Sequence, residues 1–339
     1  MLAWSLTPHI LPLRFTWKIS RNASTTKTNL IVQVRDPKGG GPVGMGEAAP
    51  NIRYGETPEA LQLEFTSLLQ AGLGKIRTEA ELQEFLTAHP PAHALRFAIE
   101  SAFVLWAARQ AGQPVWQWLG APEPALAVPT AFTLPIMDPG EVAEFVREQQ
   151  MARFQLLKVK VNQESGYDLL RELTRVLPGR PLIIDGNEAW QDPDKVMTFV
   201  EQVAPLTGLK ARLLEQPLPA THTAAYRYLH PRSPWPLFAD ESVTDTADFE
   251  DIAQQFHGVN MKLMKAGGYR NGLRILRETQ AHGLQTMIGC MVETSLGIWG
   301  ALQVSGLTEI CDLDGLLIIQ NEPFGLVREA AGLLHWQDI

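Results

Sequence analysis

The sequence predicts an α/β chain built of two parts, an α+β unit followed by a barrel of parallel strands. From residue 128 onward, short β-prone apolar runs alternate with amphipathic helical stretches, as in βαβ units. Residues 1–120 place strands first and helices second. The 339 residues are 45% hydrophobic and 19% charged, a composition typical of a globular protein with a large core.

The first unit begins with a predicted hairpin over residues 2–34, whose two apolar strands are separated by the polar segment 20–26. A Pro- and Gly-containing turn leads into a third strand at 43–47. Thr57 followed by Pro58 predicts a helix N-terminus. Prolines between residues 120 and 129 indicate a linker. We therefore divide the chain into domains at 1–125 and 126–317, and we expect 318–339 to return to the first domain.

The second unit contains eight predicted strands, which alternate with helical stretches along the sequence. No Gly-rich dinucleotide-binding turn and no sign of reversed strand order is visible, so a barrel is favoured over an open doubly wound sheet. The last strand lacks a full helix after it. The predicted strands lie at 128–133, 156–161, 182–185, 213–215, 237–240, 259–263, 285–289 and 309–312.

Charge and cysteine content exclude several classes of partner. The 29 basic and 37 acidic residues give a net charge of −8, and the basic residues are scattered, which argues against a nucleic acid or an anionic membrane as partner. Cys290 and Cys311 have no metal-binding spacing and are too few for a disulfide framework. Neither a signal-peptide pattern nor a bilayer-spanning run is visible. The sequence therefore predicts a cytoplasmic protein.

Charged residues end nearly every predicted barrel strand. Asp185, Glu215 and Asp240 end three consecutive strands. A buried carboxylate is unfavourable unless it is paired or binds a metal, and active sites of barrels form at the C-terminal rim. Three hard oxygen donors with no nearby histidine or cysteine predict a Mg²⁺ site with positions left for water and substrate.

Three lysines are predicted to face the same site. Lys158 and Lys160 share one side of a strand because side chains alternate, and that side is the barrel interior. A like charge and a nearby metal are expected to lower the pKa of one of them towards neutrality. Lys265 lies four strands later, across the barrel from Lys160. Two bases on opposite faces of a metal-bound carboxylate are what 1,1-proton transfer through an enediolate requires.

Six motifs together resemble a known family. They are Gly44-Met-Gly-Glu47-Ala-Ala-Pro50, Lys158-Val-Lys160, Asp185-Gly-Asn187, Glu215-Gln-Pro217, Ala239-Asp-Glu-Ser242 and Asn260-Met-Lys-Leu-Met-Lys265-Ala-Gly-Gly268. Over essentially the whole chain, this pattern is similar to the muconate lactonizing enzyme subgroup of the enolase superfamily. One departure is Gly186, where an alanine is usual.

The resemblance implies a (β/α)7β modified TIM barrel with an N-terminal α+β capping domain. It implies Mg²⁺ held by Asp185, Glu215 and Asp240, catalytic lysines at 160 and 265, and Lys158 beside the substrate carboxylate. Members are often symmetric assemblies, so a homo-oligomer is expected.

The end of the eighth strand indicates which reaction of the subgroup is favoured. Asp312-Leu-Asp314 resembles the Asp-x-Asp motif of dipeptide epimerases, and two carboxylates can together bind the ammonium group of a dipeptide. Thr133, Met291 and Arg21 are further candidates for substrate contact. Arg21 and Arg53 lie in loops 18–26 and 50–56, which are expected to close over the barrel, and either arginine could meet an acidic side chain.

Two alternatives stay open at this point. An N-succinylamino acid racemase, an o-succinylbenzoate synthase or a muconate-type cycloisomerase would use the same lysines, but its anionic substrate would be repelled by Asp312 and Asp314. A barrel without catalytic activity would only bind a metal or a partner protein.

Overall fold

A three-stranded antiparallel sheet opens the chain. The computed structural model describes all residues, 1–339. In this sheet the strands follow the order β1-β2-β3, with bounds β1 (Ala3–Lys18), β2 (Ala23–Arg35) and β3 (Val43–Ala48). The predicted hairpin and third strand are therefore confirmed.

Four helices complete the first unit, and threonine side chains cap the start of the first two. Thr57 accepts a hydrogen bond from the backbone of Ala60, as predicted for a helix start before Pro58. The third helix is buried along most of its length and packs on β2 and β3. No helix of the protein is both long and apolar enough to cross a bilayer. The four helices are α1 (Pro58–Ala71), α2 (Glu79–Ala88), α3 (His93–Ala111) and α4 (Val115–Trp118).

The second unit is an eight-stranded parallel sheet in which every strand pairs with its neighbours in chain order. Each of the first seven strands is followed by at least one α-helix, whereas the eighth is followed only by a short 3-10 turn, which confirms the (β/α)7β barrel. The strands are β5 (Ala131–Leu134), β6 (Leu156–Lys160), β7 (Pro181–Asp185), β8 (Lys210–Glu215), β9 (Leu237–Ala239), β10 (Gly258–Met261), β11 (Gln285–Gly289) and β12 (Ile310–Asp312). The helices are α5 (Val142–Glu148), α6 (Gly166–Val176), α7 (Pro193–Val203), α8 (Thr223–Leu229), α9 (Phe249–Ala253), α10 (Leu263–Ala266), α11 (Tyr269–Ala281) and α12 (Ser295–Leu302).

The predicted strand at 128–133 is wrong as a single element. It divides into β4 (Ala127–Pro129) and β5, because Pro129 has no N–H with which to continue a ladder. Strand β4 instead pairs with a C-terminal hairpin, β13 (Val327–Ala330) and β14 (Leu333–Trp336). Just before this hairpin, Ile319 pairs with Leu13 of β1.

Apolar side chains fill the lower part of the barrel. Ile183, Leu213, Phe238 and Ile310 belong to one buried cluster inside it. Each stands two residues before a carboxylate, Asp185, Glu215, Asp240 and Asp312 respectively. Because strand side chains alternate, these carboxylates also point inward, one layer closer to the C-terminal end. The charged side chains therefore form a layer directly above this apolar cluster.

Helix α12 joins the two units through its N-terminus. Glu47 of β3 accepts hydrogen bonds from the Thr294 hydroxyl at 2.6 Å and from the Gly297 amide at 2.9 Å. Glu322 accepts from the Ser295 amide at 2.9 Å. Carboxylates at a helix N-terminus satisfy its free N–H groups and interact favourably with its dipole. These contacts anchor the first unit over the barrel.

Glu100 is a buried carboxyl group between the two units. It lies on α3, is only 1% exposed, and accepts a hydrogen bond from the Arg270 amide at 3.0 Å. Gly268 has φ of +136°, and a Cβ there would lie 1.7 Å from Glu100 Oε2, so only glycine fits. Burial raises the pKa of Glu100 from 4.5 to about 7.

This raised pKa predicts a pH-dependent stability. Between about pH 4.5 and 7 the native state keeps a proton that the unfolded state has lost, so stability falls as pH rises through this window. Compared with Glu100→Gln, the wild type should lose up to about 3 kcal/mol more between pH 5 and 8, measured by denaturant unfolding. The exposed Glu84→Gln serves as the control. Equal pH slopes in wild type and Glu100→Gln would contradict the prediction.

Candidate active site

A cavity of about 380 Å³ lies at the C-terminal mouth of the barrel, beneath segments of the first unit. Its floor contains lysines and carboxylates from the barrel strands. Its roof comes from the end of β1, the start of β2 and the segment after β3. Roof residues include Trp17, Ile19, Thr26, Pro50, Ile52 and Tyr54. The two units together enclose a volume suited to a small molecule.

The three carboxylates predicted to bind metal are at the ends of adjacent strands. Asp185 and Glu215 are fully buried, and Asp240 is 2% exposed. The Lys158 ammonium lies between the first two, 2.9 Å from Asp185 Oδ2 and 2.8 Å from Glu215 Oε2. No three acidic, histidine or cysteine side chains converge on one point in this conformation. Lysine ammonium groups stand between them instead.

These carboxylates nevertheless suit a hard divalent cation. Their donors are all oxygens, which Mg²⁺ prefers. Glu215 Oε2 and Asp240 Oδ1 contact lysines at ion-pair distance but receive no well-aligned hydrogen bond, so each keeps acceptor capacity. The ammonium of Lys158 already stands in for a cation between Asp185 and Glu215. The donor set therefore fits Mg²⁺.

Lys160 and Lys265 lie on opposite sides of the barrel. Lys160 is on β6 and Lys265 follows β10, four strands away in a sheet of eight. Lys160 Nζ is 2.6 Å from Asp185 Oδ2, and Lys265 Nζ is 2.6 Å from Asp240 Oδ1. Both side chains are largely buried: 8% of the Lys160 side chain and 1% of the Lys265 side chain are exposed. Lys160 and Lys265 are thus held by different carboxylates.

The pKa values of Lys158 and Lys265 are shifted in opposite directions. Burial opposes the charge of Lys158, but Asp185, Asp312 and Glu215 outweigh it and raise the pKa of Lys158 well above its usual value. Burial instead lowers the pKa of Lys265, although Asp240 partly counteracts the effect. Lys158 is therefore not the lysine whose pKa is lowered, whereas the pKa of Lys265 is lowered.

Asp312 and Asp314 line the same cavity, and both are 5% exposed. Asp312 Oδ2 is 2.8 Å from Lys158 Nζ, whereas its Oδ1 has no hydrogen-bond donor. Asp314 Oδ2 accepts from the Thr133 amide at 2.7 Å. Burial, together with the charge of Asp312, raises the pKa of Asp314 to about 6. Met291 also lines the cavity. The structure thus brings four of these candidate substrate residues together.

Arg21 lines the cavity but already has carboxylate partners. Its guanidinium donates to Glu188 at 2.8 Å and to Glu241 at 2.7 Å. Arg53 binds the same Glu188 through two hydrogen bonds of 2.8 and 2.9 Å. Both arginines therefore connect first-unit loops to barrel loops, and neither presents a free charge to an acidic ligand.

Three polar residues that support the site were given no role at the sequence level. Gln216 Oε1 accepts from the Asp240 amide at 2.8 Å, and the Asn260 side chain donates to Glu215 at 2.8 Å. Lys262 Nζ is 2.8 Å from Asp240 Oδ2. The sequence indicates Asn260 and Lys262 as residues of the barrel mouth, because they share the inward-facing alternation on β10 and just after it. For Gln216 the sequence carries no comparable signal.

The loop after β7 shows why glycine occupies position 186. A Cβ at Gly186 would lie 2.7 Å from Pro217 Cα and 3.0 Å from the Trp190 ring. Close approach of the two loops therefore requires glycine here. The adjoining Asn187 and Glu188 have positive φ values of 41° and 62°. Such strained backbone is common at functional sites.

Comparisons with known proteins identify relatives along the whole chain. Residues 141–315 match the family model described as enolase C-terminal domain-like. An L-Ala-D/L-amino acid epimerase of Pedosphaera parvula is 33% identical over 97% of this chain and 94% of its own length. An L-Ala-D/L-Glu epimerase of Escherichia coli is 31% identical over 96% of this chain and 96% of its own length. A dipeptide epimerase of Methylococcus capsulatus, solved with Mg and L-Arg-D-Lys, is 28% identical with a TM-score of 0.88, covering 99% of this chain and 97% of that one.

Proposed function

This chain belongs to the enolase superfamily, and from that premise we propose that it is a Mg²⁺-dependent dipeptide epimerase. It is an isomerase of the racemase and epimerase class. The observation that carries the proposal is the position of Lys160 and Lys265 on opposite sides of the barrel mouth. Lys160, Asp312 and Asp314 line the cavity, and Lys265 is ion-paired with Asp240, which also lines it. The reaction inverts the α-carbon of the C-terminal residue of a dipeptide.

Asp185, Glu215 and Asp240 would hold the Mg²⁺. When bound, the ion supplies positive charge that stabilises the negative charge developing on the substrate carboxylate. Lys158, which is held by three protein carboxylates, would lie beside the substrate carboxylate and add a second positive charge.

The two lysines move the proton. One amine removes the α-proton: its nitrogen gains the hydrogen, the C–H bond breaks, and the electron pair moves into the carboxylate to give a planar enediolate. The ammonium on the opposite side then donates a proton to the other face, which inverts the carbon. Their ion pairs with Asp185 and Asp240 hold Lys160 and Lys265 on the two sides.

Asp312 and Asp314 would bind the free ammonium of the dipeptide. Asp312 has one oxygen without a donor, and the pKa of Asp314 is raised because two carboxylates share a buried region. A cation would relieve this repulsion, whereas the succinyl or muconate carboxylate of the alternative reactions would increase it. The acidic pair therefore favours epimerisation of dipeptides over these alternatives.

The comparisons leave the preferred side chains open, because relatives are named for different dipeptides. We also propose a cytoplasmic location, supported by two cysteines that are both free thiols. A homo-oligomer stays a prediction.

Proton NMR in heavy water tests the proposed function. With Mg²⁺ present, a pool of L,L-dipeptides should lose the α-proton signal of the C-terminal residue, and the D epimer should form. Removing the metal with EDTA should stop exchange, and added Mg²⁺ should restore it. Exchange of N-succinylamino acids with no exchange of any dipeptide would contradict the proposal in favour of the racemase alternative.

A further inference from the structure

One cationic side chain of the cavity has no carboxylate partner. Five lysine and arginine side chains line the cavity: Arg21, Lys27, Lys158, Lys160 and Lys262. Four of them bind protein carboxylates at 2.6–2.9 Å. Lys27 is the exception. Burial lowers its pKa, and no charged neighbour contributes to the shift.

The strand register places Lys27 above one side of the barrel mouth. Lys27 lies on β2 opposite Leu11, and Leu11 packs with Val292 and Ile318. Two residues further along β2, and on the same face, Asn29 donates to the Val292 carbonyl at 2.8 Å. Val292 follows β11 and Ile318 follows β12, the strand that ends at Asp312. Lys27 is therefore on the side of the acidic pair Asp312 and Asp314.

A half-buried ammonium beside apolar side chains is unfavourable without a counter-charge. No protein carboxylate in the cavity pairs with Lys27. A carboxylate on the bound molecule would offset the cost of burying the Lys27 ammonium through a charge-assisted hydrogen bond. The acidic pair nearby would at the same time hold the ammonium of that molecule. The two features together fit a ligand with an ammonium and a carboxylate on the same residue.

We propose that Lys27 binds an anionic side chain on the N-terminal residue of the dipeptide and so selects substrates such as L-Glu-L-Ala. The inference rests on the proposed function. It names a specificity that the loop arginines Arg21 and Arg53 cannot supply, because both are paired with Glu188. Lys27 contributes to substrate choice and takes no part in proton transfer.

The test compares acidic peptides with their neutral isosteres. Exchange of the C-terminal α-proton is measured for Glu-Ala, Gln-Ala, Ala-Glu, Ala-Gln and Ala-Ala, in the wild type and in Lys27→Met. The exposed Lys38→Met, beyond the other end of β2, is the matched control. The wild type should prefer Glu-Ala to Gln-Ala in kcat/KM. Lys27→Met should reduce this ratio by about tenfold to a hundredfold, and Lys38→Met should leave it at the wild-type value.

Each remaining outcome contradicts the inference. An unchanged Glu-Ala to Gln-Ala ratio in Lys27→Met would show that Lys27 does not meet the anionic group. A change only in the Ala-Glu to Ala-Gln ratio would place the acidic side chain on the other residue. Both results leave the proposed function intact because Ala-Ala still exchanges, whereas no exchange of any peptide in the wild type would overturn the function and the inference together.

Discussion

Replacing Lys265 with methionine is expected to slow epimerisation of dipeptides severely and to leave α-proton exchange in only one of the two epimers. Methionine keeps the length and apolar character of the side chain but removes the amine that faces one side of the α-carbon. Lys160, on the opposite side, can still remove a proton and return one to the same face. Interconversion should fall by about a hundredfold to ten-thousandfold, the usual contribution of a general acid–base group.

The corresponding Lys160→Met variant should show exchange in the other epimer. Both variants are followed by NMR in heavy water with L,L and L,D dipeptides as separate substrates, and chiral chromatography measures inversion. Lys195→Met, on the outer surface of α7, removes a lysine from the same barrel and should behave as wild type. If both active-site variants exchange the same epimer, or if either inverts at the wild-type rate, the two-lysine mechanism is wrong.

The barrel could be predicted because its signal is local and repeated. Each parallel strand is an apolar run between segments with helical periodicity, and carboxylates such as Asp185 and Glu215 end these runs. In a barrel, strand ends meet at one mouth, so the position of each residue along its own strand is enough to bring the candidate site together. The same reasoning placed Lys160 across from Lys265, since only the count of strands was needed.

Contacts between distant segments could not be predicted in this way. Glu188 and Glu241 neutralise Arg21, and no feature of the loop that contains Arg21 indicates these partners. The absence of a carboxylate partner for Lys27 likewise follows only from the positions of all the residues around β2. The raised pKa of Lys158 could not be predicted from the sequence either, because the carboxylates around its ammonium come from three separate strands, β7, β8 and β12.

Replacing Asp314 with asparagine should separate recognition of the substrate ammonium from the chemistry of proton transfer. Asparagine keeps an oxygen to accept from the Thr133 amide, so the local backbone should be preserved while one negative charge is lost. We expect kcat/KM for a dipeptide to fall by about a hundredfold, mainly through KM, because the ammonium is bound equally in the ground state and the transition state. Steady-state kinetics with L-Ala-L-Ala measures both parameters.

Asp312→Asn provides the informative contrast, because Asp312 also holds Lys158 at 2.8 Å. Losing this charge should disturb the ammonium beside the substrate carboxylate, so kcat should fall as well as the affinity for dipeptide. N-acetylated dipeptides, which lack the ammonium, should be poor substrates for the wild type and should lose far less activity in Asp314→Asn than free dipeptides do. If Asp314→Asn lowers activity equally towards free and acetylated peptides, the acidic pair does not recognise the ammonium, and the argument that favours dipeptides over succinylated substrates no longer holds.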